Sequence, residues 1–437
     1  MIHSIKSQEE ILSKLGIDQL NPMQVAMHES VSQNADTVLL SPTGSGKTLA
    51  FLLPVLKLLD AQSTEIQVLI LTPSRELAIQ IEQVLREMGS GFKTNAIYGG
   101  RAGSKDKIDL KHSPAILIGT PGRIADHFRR ENISGNAIKT LILDEFDKSL
   151  EVGFEADMKE IMSYLPALEK KILTSATQKR EVPEFVGLNN PSQLNFLSDE
   201  ESLLKVKLIK CREEDKLSTL VDLLGHVGDA NGIIFCNFKE TLEKVSFYLE
   251  DKEVAHGNFF GGLEQKDRER ALIMFRNGTY KLLLATDLAA RGIDVPELDF
   301  IIHFEMPSRE EEFTHRNGRT ARMHSTGSAY ILQSNKHRLP EYAKVDEDVS
   351  LTGNQSPVPS DIETLYVSGG RKDKISKGDI AGLFFKQGGL DKTELGRIEL
   401  MQDCTFVAVP LQKADDLVEK LNNSRLKKKK VRISILE

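Results

Sequence analysis

The sequence lacks the features on which membrane, secreted and zinc-binding proteins depend. Its richest apolar run, residues 49–59, is broken by Pro54 and Lys57 and is shorter than the roughly 18 residues that a membrane-spanning helix needs. Residues 1–10 contain no apolar core of a secretory signal. The three cysteines form no CxxC pair, so neither a disulfide framework nor a zinc cluster is predicted for Cys211, Cys236 and Cys404. We therefore expect a cytoplasmic protein without a membrane segment.

The charge of the chain is uneven along its length. The net charge is -7, but residues 361–437 carry 15 Lys and Arg against 12 Asp and Glu, whereas the preceding residues carry 42 against 52. Because salt limits electrostatic attraction to about 8 Å under physiological conditions, a local basic surface can bind phosphates on a chain that is acidic as a whole. The net charge therefore does not exclude a nucleic-acid partner.

The apolar pattern predicts two α/β domains and a smaller third one. Short β-rich runs alternate with helical periodicity, which is typical of parallel sheets covered on both faces. The first set lies at residues 37–40, 68–72, 115–119, 140–143 and 171–175, and the second at 232–236, 282–286, 300–303 and 328–332. A polar stretch ending in Ser356-Pro-Val-Pro-Ser360 indicates a linker. From Thr364 the order is βαββαβ, with strands at 364–368, 396–401, 405–409 and 430–436 and helices at 379–387 and 414–422.

A phosphate-binding loop is predicted between the first strand and the helix that follows it. Glycines allow backbone N–H groups to surround phosphates, and a helix N-terminus adds positive potential. In this setting Lys47 would neutralise the β- and γ-phosphates, and the hydroxyl of Thr48 would bind Mg²⁺. The loop consists of Ser41, Pro42, Thr43, Gly44, Ser45, Gly46, Lys47 and Thr48. The alternative is an ordinary strand-to-helix turn.

A second group of polar residues follows the buried run Leu141-Ile-Leu143. Asp144 suits Mg²⁺, usually through water, because a hard ion prefers oxygen ligands. Glu145 would orient or deprotonate the attacking water. The alternative is a solvated acidic turn that caps the next helix, and the upstream phosphate loop argues against it.

These motifs, and others further along the chain, occur in the order found in the DEAD-box RNA helicases, which the sequence resembles over residues 5–335. The resemblance implies two tandem RecA-like parallel-sheet domains. Asn21-Pro-Met-Gln24 after Gly16-Ile17 is similar to the glutamine motif of that family, in which Gln24 would recognise adenine. Ser7 and Ile17 stand where family members often have aromatic residues, and the name-giving tetrapeptide is Asp144-Glu-Phe-Asp147. The ATP site implied by the resemblance comprises Ile17, Gln24, the loop residues 41–48, Asp294, Arg319 and Arg322.

The resemblance also assigns arginine fingers, RNA contacts and coupling residues. His315-Arg-Asn-Gly-Arg-Thr-Ala-Arg322 is similar to the arginine-finger motif, with Asn317 and Ala321 in place of the more usual Ile and Gly. The catalytic set is then Lys47, Thr48, Asp144, Glu145, Arg319 and Arg322, with ATP and Mg²⁺ as cofactors. The residues that would contact the RNA backbone are Pro73, Arg75, Gly99, Gly100, Thr120, Arg123, Gln265, Arg268 and Thr286. Coupling of hydrolysis to strand separation is implied for Asp147, Ser175, Thr177 and His315.

The third domain resembles an RNA-recognition motif and, over its whole length, the C-terminal domain of the DbpA group of bacterial DEAD-box helicases. Gly369-Gly-Arg-Lys-Asp-Lys374 is the most specific string. In that group the domain anchors the helicase to a hairpin of large-subunit ribosomal RNA. The sheet is poor in stacking groups, because Cys404 and Val409 stand where a standard motif has aromatics. Binding would therefore depend on Arg371, Lys372, Lys374, Lys377 and the run 427–430, although a charge run is often only a solvated face.

The sequence thus predicts a helicase ATP-binding domain in residues 1–203, a helicase C-terminal domain in 204–350, a linker in 351–360 and an RNA-binding domain in 361–437. We expect a monomeric RNA-dependent ATPase that remodels RNA locally, with ribosomal RNA or a pre-ribosomal particle as its partner and no membrane. Closure of the two helicase domains on ATP and RNA would gate hydrolysis. The alternatives are an ATP-regulated RNA clamp without productive unwinding, a DNA helicase of the same superfamily, and a general RNA helicase in mRNA turnover.

Overall fold

The computed structural model describes residues 5–42, 44–100, 103–149, 154–176, 182–197, 204–287, 295, 298–320, 326–351, 353 and 356–436. The chain folds as two compact units, one ending within residues 198–203 and one extending from there to the C-terminus. In the described part of the chain, no helix is both long and apolar enough to cross a membrane.

The first unit contains a parallel seven-stranded sheet in the order β3-β4-β2-β5-β6-β1-β7. Its central strands are buried along their whole length, as expected for a sheet covered by helices on both faces. The strands are β1 Asp36–Leu40, β2 Val68–Leu71, β3 Thr94–Ile97, β4 Ile116–Gly119, β5 Thr140–Leu143, β6 Lys170–Ser175 and β7 Ser192–Asn195. The helices are α1 Gln8–Leu15, α2 Pro22–Gln33, α3 Lys47–Leu56, α4 Arg75–Met88, α5 Gly103–Leu110, α6 Pro121–Arg129, α7 Phe146–Ser149 and α8 Glu155–Ser163.

The second unit begins with another parallel seven-stranded sheet, in the order β10-β11-β9-β12-β13-β8-β14. Its strands are β8 Leu204–Cys211, β9 Gly232–Phe235, β10 Gly257–Phe259, β11 Leu282–Ala285, β12 Phe300–His303, β13 Gly327–Ser334 and β14 Glu347–Asp348. The helices are α9 Lys216–Val227, α10 Lys239–Asp251, α11 Gln265–Asn277 and α12 Glu310–Asn317.

The rest of the second unit is a small α+β fold. An antiparallel sheet has the order β16-β17-β15-β20, and β18 pairs with β19 in a separate ribbon. The strands are β15 Ile362–Val367, β16 Ile398–Leu400, β17 Thr405–Pro410, β18 Arg425–Leu426, β19 Lys429–Lys430 and β20 Ile433–Ile435. The helices α13 Lys377–Lys386 and α14 Ala414–Leu421 pack on one face of this sheet around Leu365, Phe384 and Val407.

The other face of the small sheet packs against the C-terminal end of α11. Arg276 forms two hydrogen bonds with the Glu399 carboxylate, at 2.7 and 2.6 Å, and both side chains are largely buried. The fully buried hydroxyl of Thr364 lies 2.7 Å from that of Thr279 and accepts a hydrogen bond from the Asn277 amide at 3.2 Å. The small domain is therefore fixed to the C-terminal end of α11 and to Thr279, which follows that helix.

The predicted fold class is confirmed, and both parallel sheets are larger than the apolar pattern indicated. The strands that the pattern missed are short or partly polar: β3, β7, β8, β10 and β14. Most lie at or next to a sheet edge, where one side of a strand meets solvent and the apolar signal weakens. The last predicted strand is interrupted, because β19 ends at Lys430 and β20 begins at Ile433.

Candidate nucleotide and nucleic-acid sites

The predicted phosphate loop connects the buried strand β1 to the N-terminus of α3. Gly44 and Gly46 have φ values of 82° and 89°, which only glycine adopts without strain. The ammonium group of Lys47 donates hydrogen bonds to the carbonyls of Ser41 and Pro42, both at 2.7 Å. Thr48 follows on the first turn of α3. The lysine thus lies over the loop, where incoming phosphates would replace the carbonyl groups as its partners.

Gln24 joins the second helix to this loop. Its side-chain oxygen accepts the N–H of Asn21 at 3.0 Å, which completes a capping box at the start of α2. Its amide nitrogen lies 3.4 Å from the carbonyl of Gly46, and a side chain at Gly46 would collide with that nitrogen at 2.8 Å. The Asn21 amide donates to the carbonyl of Ser45 at 3.1 Å. Gln24 is therefore both a helix-entry residue and a neighbour of the phosphate loop, while Ile17 packs against the hydrophobic core.

Asp144 is a buried carboxyl group at the end of β5. Burial and the neighbouring Glu145 raise its pKa from the ordinary 3.8 to about 6, against the opposing effects of a hydrogen bond from Thr174 and the charge of Lys47. The backbone N–H of Glu145 also donates to Asp144, at 3.1 Å, and Glu145 has a φ of 50°. Phe146 enters the hydrophobic core. Oxygen ligands that are crowded and desolvated in this way fit a hard divalent cation.

Two of the predicted coupling residues, Asp147 and Ser175, follow or end neighbouring strands of the first sheet. Ser175 is the last residue of β6, and its carbonyl accepts the N–H of Ser41 from the phosphate loop at 3.0 Å. Asp147 is buried one turn after β5. His315 lies on α12 and Arg319 is buried just beyond that helix. Four predicted site residues lie outside the described residues: Thr43, Thr177, Asp294 and Arg322.

Four predicted RNA contacts follow the carboxyl ends of β2 and β3. Ser74 caps α4 and thereby places Arg75 in its first turn. The guanidinium of Arg75 lies against Gly99 and Gly100: a side-chain carbon on Gly100 would be 2.3 Å from Nη1, and one on Gly99 would be 3.5 Å from Nη2. Gly100 thus leaves the space that this guanidinium occupies, and a side chain there would displace the end of Arg75, whereas a carbon on Gly99 would be in ordinary contact with it. Pro73 is buried at the end of β2.

Arg123 is held by carboxylates that the sequence did not indicate. Thr120 begins α6, and from its first turn Arg123 donates two hydrogen bonds to the fully buried Asp106, at 2.9 and 2.7 Å. Asp126 lies 3.3 Å away, and His127 contacts the same Asp106 oxygen at 3.1 Å. About a fifth of the Arg123 side chain remains exposed. An acidic residue on α5 thereby fixes a basic residue on α6.

The strand order divides one end of the first sheet into two halves. The adjacent strands β5, β6 and β1 end at the Asp144 pair, Ser175 and the phosphate loop. On the other side, β3, β4 and β2 end at Gly99, Thr120 and Arg75. Ligands of parallel α/β sheets bind outside the carboxyl ends of the strands. The two halves suit a nucleotide and a nucleic-acid backbone, respectively.

In the second unit, predicted contacts also lie at carboxyl strand ends. Thr286 directly follows β11, and its N–H donates to the carbonyl of Phe259 in β10 at 3.3 Å. Gln265 is the first residue of α11, the helix that follows β10. Arg268 is mostly buried, with its guanidinium 4.9 Å from the centre of the Phe259 ring. We call the carboxyl ends of β9, β10 and β11, with the residues that follow them, the rim of this unit. Arg268 thus packs against the rim and does not project fully from it.

Arg316 is a central residue that sequence reasoning missed. It is fully buried and forms two hydrogen bonds with Asp287, at 2.6 and 2.5 Å. It also donates to the Glu305 carbonyl and the Asn237 side chain, both at 2.7 Å. Its position inside the predicted arginine-finger motif was the available signal, but a basic residue that precedes both expected fingers looked like part of a solvated helix. The buried partners come from strand ends distant in sequence.

The basic loop 369–374 of the small domain and the basic run 427–430 form one surface. The loop 369–374 is braced by backbone hydrogen bonds from Arg371 and Lys372 to the carbonyls of Met401 and Gln402, at 2.9 and 3.0 Å. Lys372 forms an ion pair with Asp403, and Lys429 with Asp373. Lys374 has a φ of 61°, and its carbonyl accepts a hydrogen bond from Lys427. The loop and the run 427–430 are therefore neighbours.

The prediction that Val409 stands at a base-stacking position of the sheet was wrong. Along β17, Val407 and Val409 face the hydrophobic core, whereas Phe406 lies on the opposite face beside Tyr366 at a ring distance of 5.9 Å. Because side chains alternate along a strand, Val409 cannot occupy an outward stacking position. Part of that outward face contacts α11 through Thr364 and Glu399.

Three family models match the chain: DEAD/DEAH box helicase over residues 21–185, helicase conserved C-terminal domain over 215–324, and DbpA RNA binding domain over 364–435. The chain is 30% identical to the ATP-dependent RNA helicase DbpA of Escherichia coli, with 98% of this chain and 96% of the relative covered. It is 29% identical to DbpA of Bacillus subtilis, with coverages of 97% and 96%.

Among solved structures, Saccharomyces cerevisiae Dbp5 bound to RNA and ADP BeF3 is similar to the chain with a TM-score of 0.68 and 26% identity. The match covers 75% of this chain and 88% of Dbp5.

Proposed function

The chain belongs to the DEAD-box family of ATP-dependent RNA helicases, and we propose that it unwinds or remodels ribosomal RNA locally during assembly of the large subunit. Pre-ribosomal particles in the cytoplasm would be its partners, and it would act as a monomer. The observation that carries the ribosomal target is the basic surface formed by the loop 369–374 and the run 427–430, in a domain that resembles the DbpA type.

For the nucleotide, we assign the phosphate loop and Lys47 to the triphosphate, Gln24 to adenine and Asp294 to the ribose. Mg²⁺ would be held by the Thr48 hydroxyl and, through water, by Asp144. In the described part of the chain no group of three or more His, Cys, Asp or Glu side chains could hold a metal ion, which fits an ion that takes its remaining ligands from phosphates and water. When bound, Mg²⁺ neutralises charge on the phosphate oxygens.

For hydrolysis, Glu145 would orient the attacking water. Arg319 and Arg322 would stabilise charge on the transferring phosphoryl group, an effect worth about 10³ to 10⁵ in turnover for an arginine finger. Asp147, Ser175, Thr177 and His315 would couple this step to the RNA.

For RNA, the helicase domains would grip the backbone through the glycines and basic residues at the strand ends. Contacts to phosphate and ribose carry no sequence information, so this grip would be general. The proposed contacts are Pro73, Arg75, Gly99, Gly100, Thr120, Arg123, Gln265, Arg268 and Thr286. Selectivity would come from Arg371, Lys372 and Lys374. The loops are the better candidates in the small domain, because α11 occupies part of its outer sheet face.

The test is the steady-state ATPase rate without nucleic acid, with generic single-stranded RNA, with DNA of the same sequence and with purified ribosomal RNA. Removing residues 361–437 should abolish the preference for ribosomal RNA, but it also uncovers Arg276 and Asn277. The cleaner variant is the triple substitution R371A/K372A/K374A, because it leaves the α11 contact in place.

The matched control is K386A/K392A/K420A, which removes the same charge from the same domain. We expect the first triple variant to lose the ribosomal preference while keeping wild-type activity on generic RNA, and the control to keep both. If all RNAs stimulate the wild-type protein equally, the ribosomal target is wrong and the helicase assignment stands. Strong ATP-dependent binding without strand separation would instead favour the clamp.

A further inference from the structure

Phe238 is a large aromatic side chain on the surface of the second unit, 62% exposed. It follows Asn237, directly before the first residue of α10, and its backbone is extended. Asn237 is held firmly: its N–H donates to the Glu305 carboxylate and its amide to the Met306 carbonyl, both at 2.8 Å. The ring of Phe238 therefore projects from a fixed backbone position.

Phe238 lies on the rim of this unit, where we propose that RNA binds. It follows the carboxyl end of β9, and Thr286 directly follows the neighbouring strand β11. The next residue, Lys239, has its ammonium group 5.5 Å from the Phe260 ring centre, and its side chain would be 3.6 Å from a carbon added to Gly262. Lys239 also lies 3.3 Å from Glu243. Phe238 thus follows a strand that is next to β11, and the residue after it contacts the loop that leads to Gln265.

A single exposed apolar residue is ordinary on a protein surface, so the argument depends on where this one lies. The other proposed contacts on the rim are polar groups that reach phosphate and ribose. Proteins that bind single-stranded nucleic acids combine such contacts with aromatic rings on which bases stack, and stacking tolerates any sequence. The rim otherwise offers no exposed aromatic among the described residues 257–287, since Phe259 and Phe260 are buried.

We propose that Phe238 is a stacking platform for one nucleobase of the bound RNA strand. The proposal rests on the proposed placement of RNA at the carboxyl ends of β9 and β11. It adds an apolar contact with a base to a site otherwise built from backbone contacts.

The chain contains no tryptophan, so F238W makes a protein with a single tryptophan at the proposed platform. The matched control is F247W, because Phe247 is 74% exposed on the same helix, roughly two and a half turns away. Each variant is titrated with single-stranded RNA in the presence of a non-hydrolysable ATP analogue. We expect RNA to quench the fluorescence of F238W and to leave that of F247W nearly unchanged.

Affinity gives the second readout. Because the stacking of a base on an aromatic ring contributes to affinity, F238A should raise the RNA concentration for half-maximal ATPase activity about tenfold. F247A should leave it unchanged, and F238Y should restore most of the loss. A set of RNAs, each lacking the base at one position, is then compared for binding to the wild type and to F238A. When the missing base is the one that stacks on Phe238, the two proteins should bind the RNA with equal affinity.

The variant T286A distinguishes a failure of the stacking proposal from a failure of the proposed placement of RNA. If T286A weakens RNA binding while F238A binds normally and F238W is quenched no more than F247W, the platform is wrong and the placement stands. If neither T286A nor F238A affects binding, the placement is wrong and the platform with it. If F238A loses affinity equally for intact and base-free RNA, Phe238 does not act by stacking and the inference is overturned.

Discussion

The Nε2 atom of His303 lies 3.0 Å from Oδ1 of Asn317, inside the second unit. His303 is fully buried, and burial together with the positive charge of Arg316 lowers its pKa to about 3. The ring is therefore neutral. Since the guanidinium of Arg316 can only donate, and lies 3.5 Å from Nδ1, the proton is on Nε2 and is donated to Asn317. Asn317, which replaces the more usual Ile of the family, thus belongs to the network that holds the arginine-finger segment.

The substitution N317I should destabilise the protein by about 1 to 3 kcal/mol, because it leaves a buried N–H of His303 without its acceptor. Urea unfolding of the variant and the wild type at pH 7.5 measures the effect. An unchanged free energy of unfolding would show that the hydrogen bond does not contribute.

The double variant H303F/N317I tests the same hydrogen bond by removing both of its partners. Removing both polar partners avoids an unpaired buried group, so the double variant should be more stable than N317I alone. The ring contact with Phe313, at 4.7 Å in the wild type, can be kept by phenylalanine. Additive losses from H303F and N317I would contradict direct coupling.

The substitution G100A should weaken RNA binding by displacing Arg75, whose Nη1 would lie 2.3 Å from the new carbon. A charged hydrogen bond contributes about 1.5 to 3 kcal/mol, so we expect roughly a tenfold or larger increase in the RNA concentration for half-maximal ATPase activity. R75A should have a similar effect, and the double variant should be no worse than R75A.

The control for backbone strain is G187A. Gly187 also has a positive φ, of 62°, but an added carbon would meet nothing within 4 Å. G187A should therefore reduce stability slightly without changing RNA affinity. Equal losses of RNA affinity in G187A and G100A would attribute the effect to strain instead of Arg75.

The substitution E145Q should abolish ATP hydrolysis and leave ATP-dependent RNA binding intact, because the amide cannot accept a proton from the attacking water. Turnover and RNA binding by fluorescence anisotropy provide the two measurements. E131Q is the matched control, since Glu131 is an exposed glutamate of the same unit with a similar φ of 53°. Near wild-type turnover in E145Q would remove Glu145 from the catalytic set.

The raised pKa of Asp144 predicts how stability depends on pH. The folded protein holds a proton on this group more tightly than the unfolded chain does, because its pKa is about 6 against an ordinary 3.8. The contribution of Asp144 to stability therefore increases as the pH falls from about 7 to about 4, by at most about 1.4 kcal/mol per pH unit. Urea unfolding of nucleotide-free protein in EDTA should show this increase relative to D144N. A constant difference across that range would contradict the predicted titration.

The local structure of the proposed nucleotide site could be predicted from sequence because its signals are contiguous. A buried strand, a glycine-containing loop and a helix start lie within residues 36–56, and the strand that ends at Asp144 is an unbroken apolar run. Residue type and spacing largely decide backbone structure over such short distances, so the helix start at Lys47 and Thr48 and the strand end before Asp144 were predicted correctly. The parallel fold followed from the same periodicity.

Tertiary structure alone decided which of these segments became neighbours. The strand order that separates the half of the first sheet proposed for the nucleotide from the half proposed for RNA depends on contacts between residues distant in the chain. The same holds for the polar edge strands and for the partners of Arg123 and Arg316. The attachment of the small domain through Glu399 and Thr364 is of the same kind, since both sit in strands whose local pattern gives no sign of a partner. Sequence periodicity records which side of an element is buried, whereas the identity of the covering element depends on the packing of the whole unit.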